Sequence, residues 1–319
     1  MDLSDPAQHP ARDPHGPFDE PVDLDRVAER IGHVPIDGSV QEMRDAYAWL
    51  MRGDAMGTPI PVGHPHRMGN VGGWVVPGPD GSTDDPRVVW LHGGGYVFGS
   101  PETHWRPAAT FAALVGEPVF MPRYRFAPEH LWPAPMTDAL AVAHDVLDRG
   151  QGLALVGDSA GGHLTLVTAL ALAREGRPAT VGAVFSPNAD RTGLSDTREP
   201  NSETDAMNND EDDMRCASIS TGPVDLPDDD VTISPLVDDL SLLPPLHVEV
   251  GGTEVLLGEA RILAERGQAA GVDVTLHVEP DAFHMWQLWS PWLPEADASL
   301  RRAAAFVAGH LGAWPRPPR

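Results

Sequence analysis

Two rhythms of apolar residues run along the chain. Near the N-terminus, 23–31 and 39–51 carry them at helical spacing, and Ser39 followed by Glu42 has capping-box spacing ahead of Met43, Ala46, Tyr47 and Leu50. Residues 53–70 are rich in Gly, Pro and His and read as a linker loop. His64 and His66 flank a proline there, but no third ligand is suggested nearby, so a solvated loop is expected rather than a metal site. Beyond this point short apolar runs alternate with helical stretches. Strands are predicted at Val88–Leu91, 119–123, 153–156, 180–185, 246–250 and 272–278, and helices at 139–147, 164–173, 260–270 and 298–311. That alternation predicts an α/β fold, a mostly parallel sheet with helices on both faces.

Composition narrows the chemistry. All 22 basic residues are arginines, which excludes a lysine Schiff base, a P-loop lysine and a Ser-Lys dyad. One cysteine, Cys216, excludes an internal disulfide and a Cys-rich zinc site. The formal net charge is −25 with no basic stripe, which argues against nucleic acid and against anionic membrane surfaces as partners. No run of 18 apolar residues offers a membrane span. Residues 1–20 are polar, acidic and Pro-rich, without the basic start and apolar run of a secretion signal, so a cytoplasmic location is expected. One segment interrupts the rhythm. Residues 196–239 hold fourteen acidic residues against two arginines, −12 of the total. Lying between two core strands, it reads as an insertion at the strand ends, where sites form.

Gly157-Asp158-Ser159-Ala160-Gly161 fits G-x-S-x-G between an apolar strand and an apolar helix, the context that the motif requires. Such a turn lifts Ser159 above the sheet edge at a helix N-terminus, where free N–H groups favour developing negative charge. His92-Gly93-Gly94-Gly95 follows the Val88–Leu91 strand. Its glycines let main-chain N–H groups face the serine, and Gly93, Gly94 and Ala160 are the expected oxyanion donors. The base and its acid should follow the serine in chain order. His284, in a loop after the last strand, is the expected base; His92, His163, His247, His277 and His310 suit framework positions. Glu254, after the 246–250 strand, is the expected orienting acid, with Asp281 as its rival close to His284.

These residues resemble the hormone-sensitive-lipase-like family of α/β-hydrolases, the bacterial family IV esterases. The matching pieces are His92 to Gly95, Tyr124 to Glu129, Trp132 to Ala134, Asp138, Gly157 to Gly162 and Pro280 to His284. Glu254 to Leu257 resembles the subset that uses glutamate. The resemblance implies an α/β-hydrolase fold with an eight-stranded sheet and a helical cap. The expected layout is a flexible leader (1–22), an N-terminal cap segment (23–68), and a hydrolase domain (69–319) with an acidic cap insertion at about 188–240. It implies a serine carboxylesterase acting on a short- to medium-chain ester or lactone through an acyl-serine, without metal or cofactor. The implied framework carboxylates are Asp158, Glu129 and Asp138. Trp132, Phe283, Trp286 and Trp289 are candidate pocket or core residues, and homodimerisation is left open. Two alternatives from other classes stay open: a lyase or cyclase on the same scaffold, and a non-catalytic small-ligand receptor. The chain departs from the family after Ser186-Pro187. An aromatic residue and an Asp-Leu pair are usual there, and this chain has Asn188-Ala189-Asp190-Arg191.

Overall fold

Eight strands form one sheet in the computed structural model, which describes residues 18, 20–51, 63–222, 224 and 226–312. They are β1 (His64–Met68), β2 (Val71–Val76), β3 (Val88–Leu91), β4 (Val119–Pro122), β5 (Ala154–Asp158), β6 (Val181–Phe185), β7 (Leu246–Gly251) and β8 (Val274–Glu279). Their order is β1-β2-β4-β3-β5-β6-β7-β8, antiparallel at the first two joints and parallel from β4 onward. Nine α-helices accompany them among the described residues: α1 (Leu24–Gly32), α2 (Val40–Met51), α3 (Trp105–Val115), α4 (Ala134–Asp148), α5 (Ala160–Arg174), α6 (Arg198–Asn201), α7 (Asp210–Thr221), α8 (Leu257–Ala269) and α9 (Pro294–Leu311).

Every residue of β3 to β7 is buried, as expected of parallel strands covered on both faces. The pleat divides them. Val89, Leu91 and Leu155 join the core under α4, α5 and α8, while Val88, Trp90, Val156 and Phe185 join the core under α3 and α9. The α/β reading from the sequence therefore holds, with differences in detail. The linker expected at 53–70 ends early: residues 52–62 lie outside the described residues, and His64–Met68 is the edge strand β1. A polar strand with one neighbour has no apolar alternation to betray it. Strand β2 is masked in the same way by Gly72 and Gly73, where a Cβ at Gly73 would strike the Met121 carbonyl. The boundary drawn at 68 thus cuts through the sheet's own hairpin. Helix α3, a largely apolar segment, is a further element absent from the sequence expectation.

The N-terminal helices form a layer on the loop that follows β8. The capping box is formed as expected: Glu42 Oε2 accepts Ser39 N–H at 2.7 Å, and Ser39 Oγ accepts Glu42 N–H at 3.3 Å. Val27, Ile31, Tyr47 and Leu50 pack against Ala282, Phe283, Trp286 and Trp289. Phe283, Trp286 and Trp289 are therefore core residues that hold this layer. Of the leader at 1–22, residues 1–17 and 19 lie outside the described residues. Its described end is packed: Phe18 is buried under the Arg30 guanidinium at 3.7 Å, and Val22 N–H donates to Trp292 O at 2.9 Å.

The acidic insertion contains α6 and α7. Asp210, Glu211, Asp212 and Asp213 occupy the first turn of α7, where the helix dipole favours negative charge, and Asn209 caps it by accepting Asp212 N–H at 2.9 Å. Farther on, Leu236, Leu240 and Leu243 sit in the main core beneath the sheet, so the end of the segment near 240 belongs to the framework.

Candidate active site

The turn from β5 to α5 sets the geometry. Ser159 has φ 52° and ψ −120°, a conformation costing on the order of 1–3 kcal/mol that survives only when its surroundings enforce it. Crowding enforces it here: a Cβ at Gly157 would meet the Gly161 carbonyl, and one at Gly161 would meet the Leu91 carbonyl. Ser159 N–H donates to Phe185 O at 2.9 Å, so the turn is also pinned to β6. Directly beneath, the buried Asp158 carboxylate accepts from Trp90 Nε1 at 2.8 Å, from Gly93 N–H at 3.0 Å and from His104 Nε2 at 3.0 Å. Asp158 thus ties the elbow to β3 and to the glycine loop, as its framework reading anticipated. His104, at the start of α3, had no motif to announce it.

Ser159, His284 and Glu254 converge from three strand ends. Ser159 Oγ lies 2.9 Å from His284 Nε2, and His284 Nδ1 lies 2.7 Å from Glu254 Oε2. Glu254 is fully buried, and its other oxygen accepts Ser186 Oγ–H at 2.9 Å and the Gly251 N–H. The rival Asp281 is exposed and makes no such contact. Burial pulls the His284 pKa down, but the hydrogen bond and charge of Glu254 and the charge of Asp205 outweigh it, leaving it above the ordinary value. Asp205, from the acidic insertion, was not foreseen. It accepts His284 N–H at 3.0 Å, Met207 N–H at 3.1 Å and Val255 N–H at 3.2 Å. Burial pushes its carboxyl up to about 6. Asp205, Glu254 and His284 are also the one trio among the described residues with metal-type ligand atoms within 4.8 Å of one another. Those atoms already bind each other or backbone N–H groups, which leaves the trio little capacity for an ion.

The glycine loop after β3 divides its N–H groups between the framework and the cavity. Gly93 N–H donates to Asp158 Oδ2 at 3.0 Å, so it is not free for a substrate oxygen. Gly94 and Gly95 line the cavity that also contains Ser159 and His284. Their N–H groups and that of Ala160 donate to no protein acceptor among the described residues. Gly94, Gly95 and Ala160 are thus the N–H groups that the protein leaves unengaged beside Ser159. Gly94 needs its missing side chain: its φ is +116°, and a Cβ would strike Phe98. The framework histidines fall as expected. His92 is buried, stacks on Tyr124 at 4.3 Å and is driven by burial to a pKa of about 3. His163 bonds Tyr96 Oη at 2.6 Å and Ile233 O at 3.1 Å. Glu129 clamps Arg44 of α2 with two bonds of 2.7 Å, and Asp138 clamps Arg125.

Two cavities meet at the site. One, of about 320 Å³, holds Ser159 and His284 and is roofed by α1, α2 and the stretch around Asp205. The other, of about 210 Å³, opens beside Ala160 between Tyr96, Trp132 and α7. Gly95, Asp213 and Cys216 line both. Among the described residues no helix is long and apolar enough to cross a membrane.

Comparison with known proteins agrees with this architecture. A family profile described as alpha/beta hydrolase fold matches residues 88–288. An acetyl-hydrolase of Streptomyces hygroscopicus is 33% identical over 285 residues, covering 86% of this chain and 92% of that protein. The carboxylesterase/phospholipase LipF of Mycobacterium tuberculosis is 34% identical over 233 residues, 69% of this chain and 61% of that one. Among solved structures, an esterase from the bacterial hormone-sensitive lipase family superposes with a TM-score of 0.83 at 34% identity, covering 91% of this chain and 98% of its own. The chain belongs to the hormone-sensitive-lipase-like, bacterial family IV branch of the α/β-hydrolases and is a serine carboxylesterase.

Proposed function

We propose that Ser159 is the nucleophile, His284 the general base and acid, and Glu254 the residue that orients it, in hydrolysis of short- to medium-chain carboxylic esters or lactones. The observation that carries this reading is the continuous relay from Ser159 Oγ through His284 to Glu254, at 2.9 and 2.7 Å, on a strained elbow. His284 Nε2 takes the proton of Ser159 as Oγ attacks the ester carbonyl. The carbonyl oxygen becomes an oxyanion held by the N–H groups of Gly94, Gly95 and Ala160. Protonated His284 is stabilised by Glu254 and then passes its proton to the leaving alcohol. Water activated by the same histidine releases the acid from the acyl-serine. The helices of 23–51 and the insertion from 188 act as the cap, limiting chain length by roofing both cavities.

Ser159→Ala tests the reading. The variant is expected to keep its fold by circular dichroism and to lose on the order of 10⁴–10⁶ in kcat, as members of such a unit do. A fluorophosphonate probe is expected to label the parent and not the variant. Labelling at another residue, or undiminished hydrolysis by the variant, overturns the assignment.

A further inference from the structure

The smaller cavity ends on polar groups, where a pocket for plain alkyl chains would be apolar throughout. Tyr96, Trp132, Leu226 and Ile233 supply apolar walls, but Asn188, Arg191 and Asp213 also line it. Asn188 and Arg191 are the positions at which this chain departs from its family after Ser186-Pro187. Arg191 is largely buried, its side chain 12% exposed. Its Nη1 donates to Asp213 Oδ2 at 2.5 Å and contacts Met214 Sδ at 3.5 Å, while its Nε and Nη2 donate to no acceptor among the described residues. Asn188 gives its amide N–H groups to Asp213 at 2.8 and 3.1 Å. His163 is already satisfied at both ring nitrogens and held neutral by burial and by the nearby Arg191, so it offers no free donor. These donors of Arg191 keep access to solvent, so a ligand that covers them has to bring an acceptor in place of water.

The direction of the reaction says which part of the substrate brings it. The leaving oxygen must reach His284, which lines the larger cavity and not the smaller. The carbonyl oxygen must reach Gly94, Gly95 and Ala160. The acyl chain takes the remaining direction, past Ala160 and Gly95 into the smaller cavity. The local charge says what kind of oxygen it is. Arg191 and Arg198 are matched by Asp213, Asp210 and Glu259, and Asp228 also lines the cavity, so no net positive charge awaits an anion. Resting on Ser159 as nucleophile, we propose that this cavity selects acyl groups bearing a neutral oxygen acceptor, such as a keto oxygen, which Arg191 binds through its unused N–H groups.

Three methyl esters of matched acyl length and shape test it by acid release: methyl levulinate, with a ketone in the chain; methyl pentanoate, with a methylene in its place; and monomethyl succinate, with a carboxylate. A hydrogen bond to a charged donor corresponds to about 10- to 100-fold. The wild-type kcat/KM for levulinate is expected to exceed that for pentanoate by at least about tenfold. In Arg191→Leu the ratio, read within the variant, is expected to fall toward one. Arg191→Gln keeps an N–H donor and is expected to fall between, and the wild-type ratio stands alone should Arg191→Leu not fold. A wild-type ratio near or below one overturns the proposal, as does a ratio unmoved in a folded Arg191 variant. Arg191-dependent preference for the succinate ester overturns the assignment to neutral acceptors. Failure to hydrolyse all three esters, pentanoate included, would instead count against the esterase reading itself.

Discussion

The floor of the site and its roof hold buried charge in different ways. In the floor, Asp158 and Glu254 are gripped by short, fixed donors at strand ends: Trp90 Nε1, the N–H groups of Gly93 and Gly251, and Ser186 Oγ. In the roof, carboxylates of α7 and α8 are held by long arginine side chains of the insertion. Arg198 alone contacts Asp210, Asp213 and Glu259. Burial would raise the Asp213 carboxyl, yet Arg191 and Arg198 together hold it well below the usual range. Glu259 is the counterpart: burial outweighs Arg198 there and raises it to about 6. A strand-end grip fixes position to a fraction of an ångström, as the chemistry requires. An arginine network fixes the shape of a wall and can be rewired without disturbing the relay.

The largest effect expected from this contrast is at Glu254. Glu254→Gln leaves His284 without its carboxylate partner and is expected to cost about 10³–10⁴ in kcat. Asp281→Asn, altering an exposed loop carboxylate, is expected to leave kcat within about twofold. The reverse ranking would move the orienting acid to Asp281 and break the assignment of the floor.

The floor was legible in the sequence and the roof was not, for a physical reason. Each floor residue sits at the C-terminal end of a strand, where motif and strand run are contiguous: Gly157 to Gly161 after β5, Gly251 to Glu254 after β7, Pro280 to His284 after β8. Local backbone geometry dictates those residues, so the spacing alone betrays them. Even there the fold adds what spacing does not show, that Asp158 captures the Gly93 N–H. Roof partners are joined by no local rule. Arg198 and Glu259 are 61 residues apart, and Asp205 lies 79 residues from the His284 N–H that it accepts. Read along the chain, the insertion is a run of acids; in space, Asp213 is a buried ion-pair partner and Asp205 touches the catalytic loop. The edge hairpin β1–β2 was missed for a different reason, having too few apolar residues to show a period.

Arg198→Leu gives the next effect in size, now on the roof. It strands Glu259 in a buried setting, while Asp213 keeps its ion pair with Arg191. Removing one partner of a buried pair typically costs about 3–5 kcal/mol. Part of that is recovered where Glu259 takes up a proton, so a loss near 3 kcal/mol is expected in urea unfolding at neutral pH. The labelling of Ser159 by a fluorophosphonate under native conditions should persist, because the relay is built on the strand ends. Loss of labelling in a folded variant would show that roof and floor are one unit and would undo the comparison.

The smallest effect lies where roof and floor touch, at Asp205, and it is a shift in pH dependence. His284 must be neutral to accept the proton of Ser159, so kcat/KM falls as pH drops through its pKa, which the surrounding carboxylates place above the ordinary imidazole value. Asp205, with a carboxyl near 6, is ionised over the upper part of that range, and its charge contributes to the elevation. Asp205→Asn removes the charge but keeps an oxygen in the position that accepts the N–H groups of His284 and Met207. The sign follows: with less negative charge nearby, His284 gives up its proton more easily, and the acid limb of the profile moves to lower pH. The plateau above it should change little, because Glu254 still orients the ring. Asp205→Ala removes the acceptor as well and should lower the plateau in addition to moving the limb. An unmoved acid limb in a folded Asp205→Asn variant would mean that the insertion touches the base loop without tuning it, and the boundary between roof and floor would then be sharper than the hydrogen bonds of Asp205 imply.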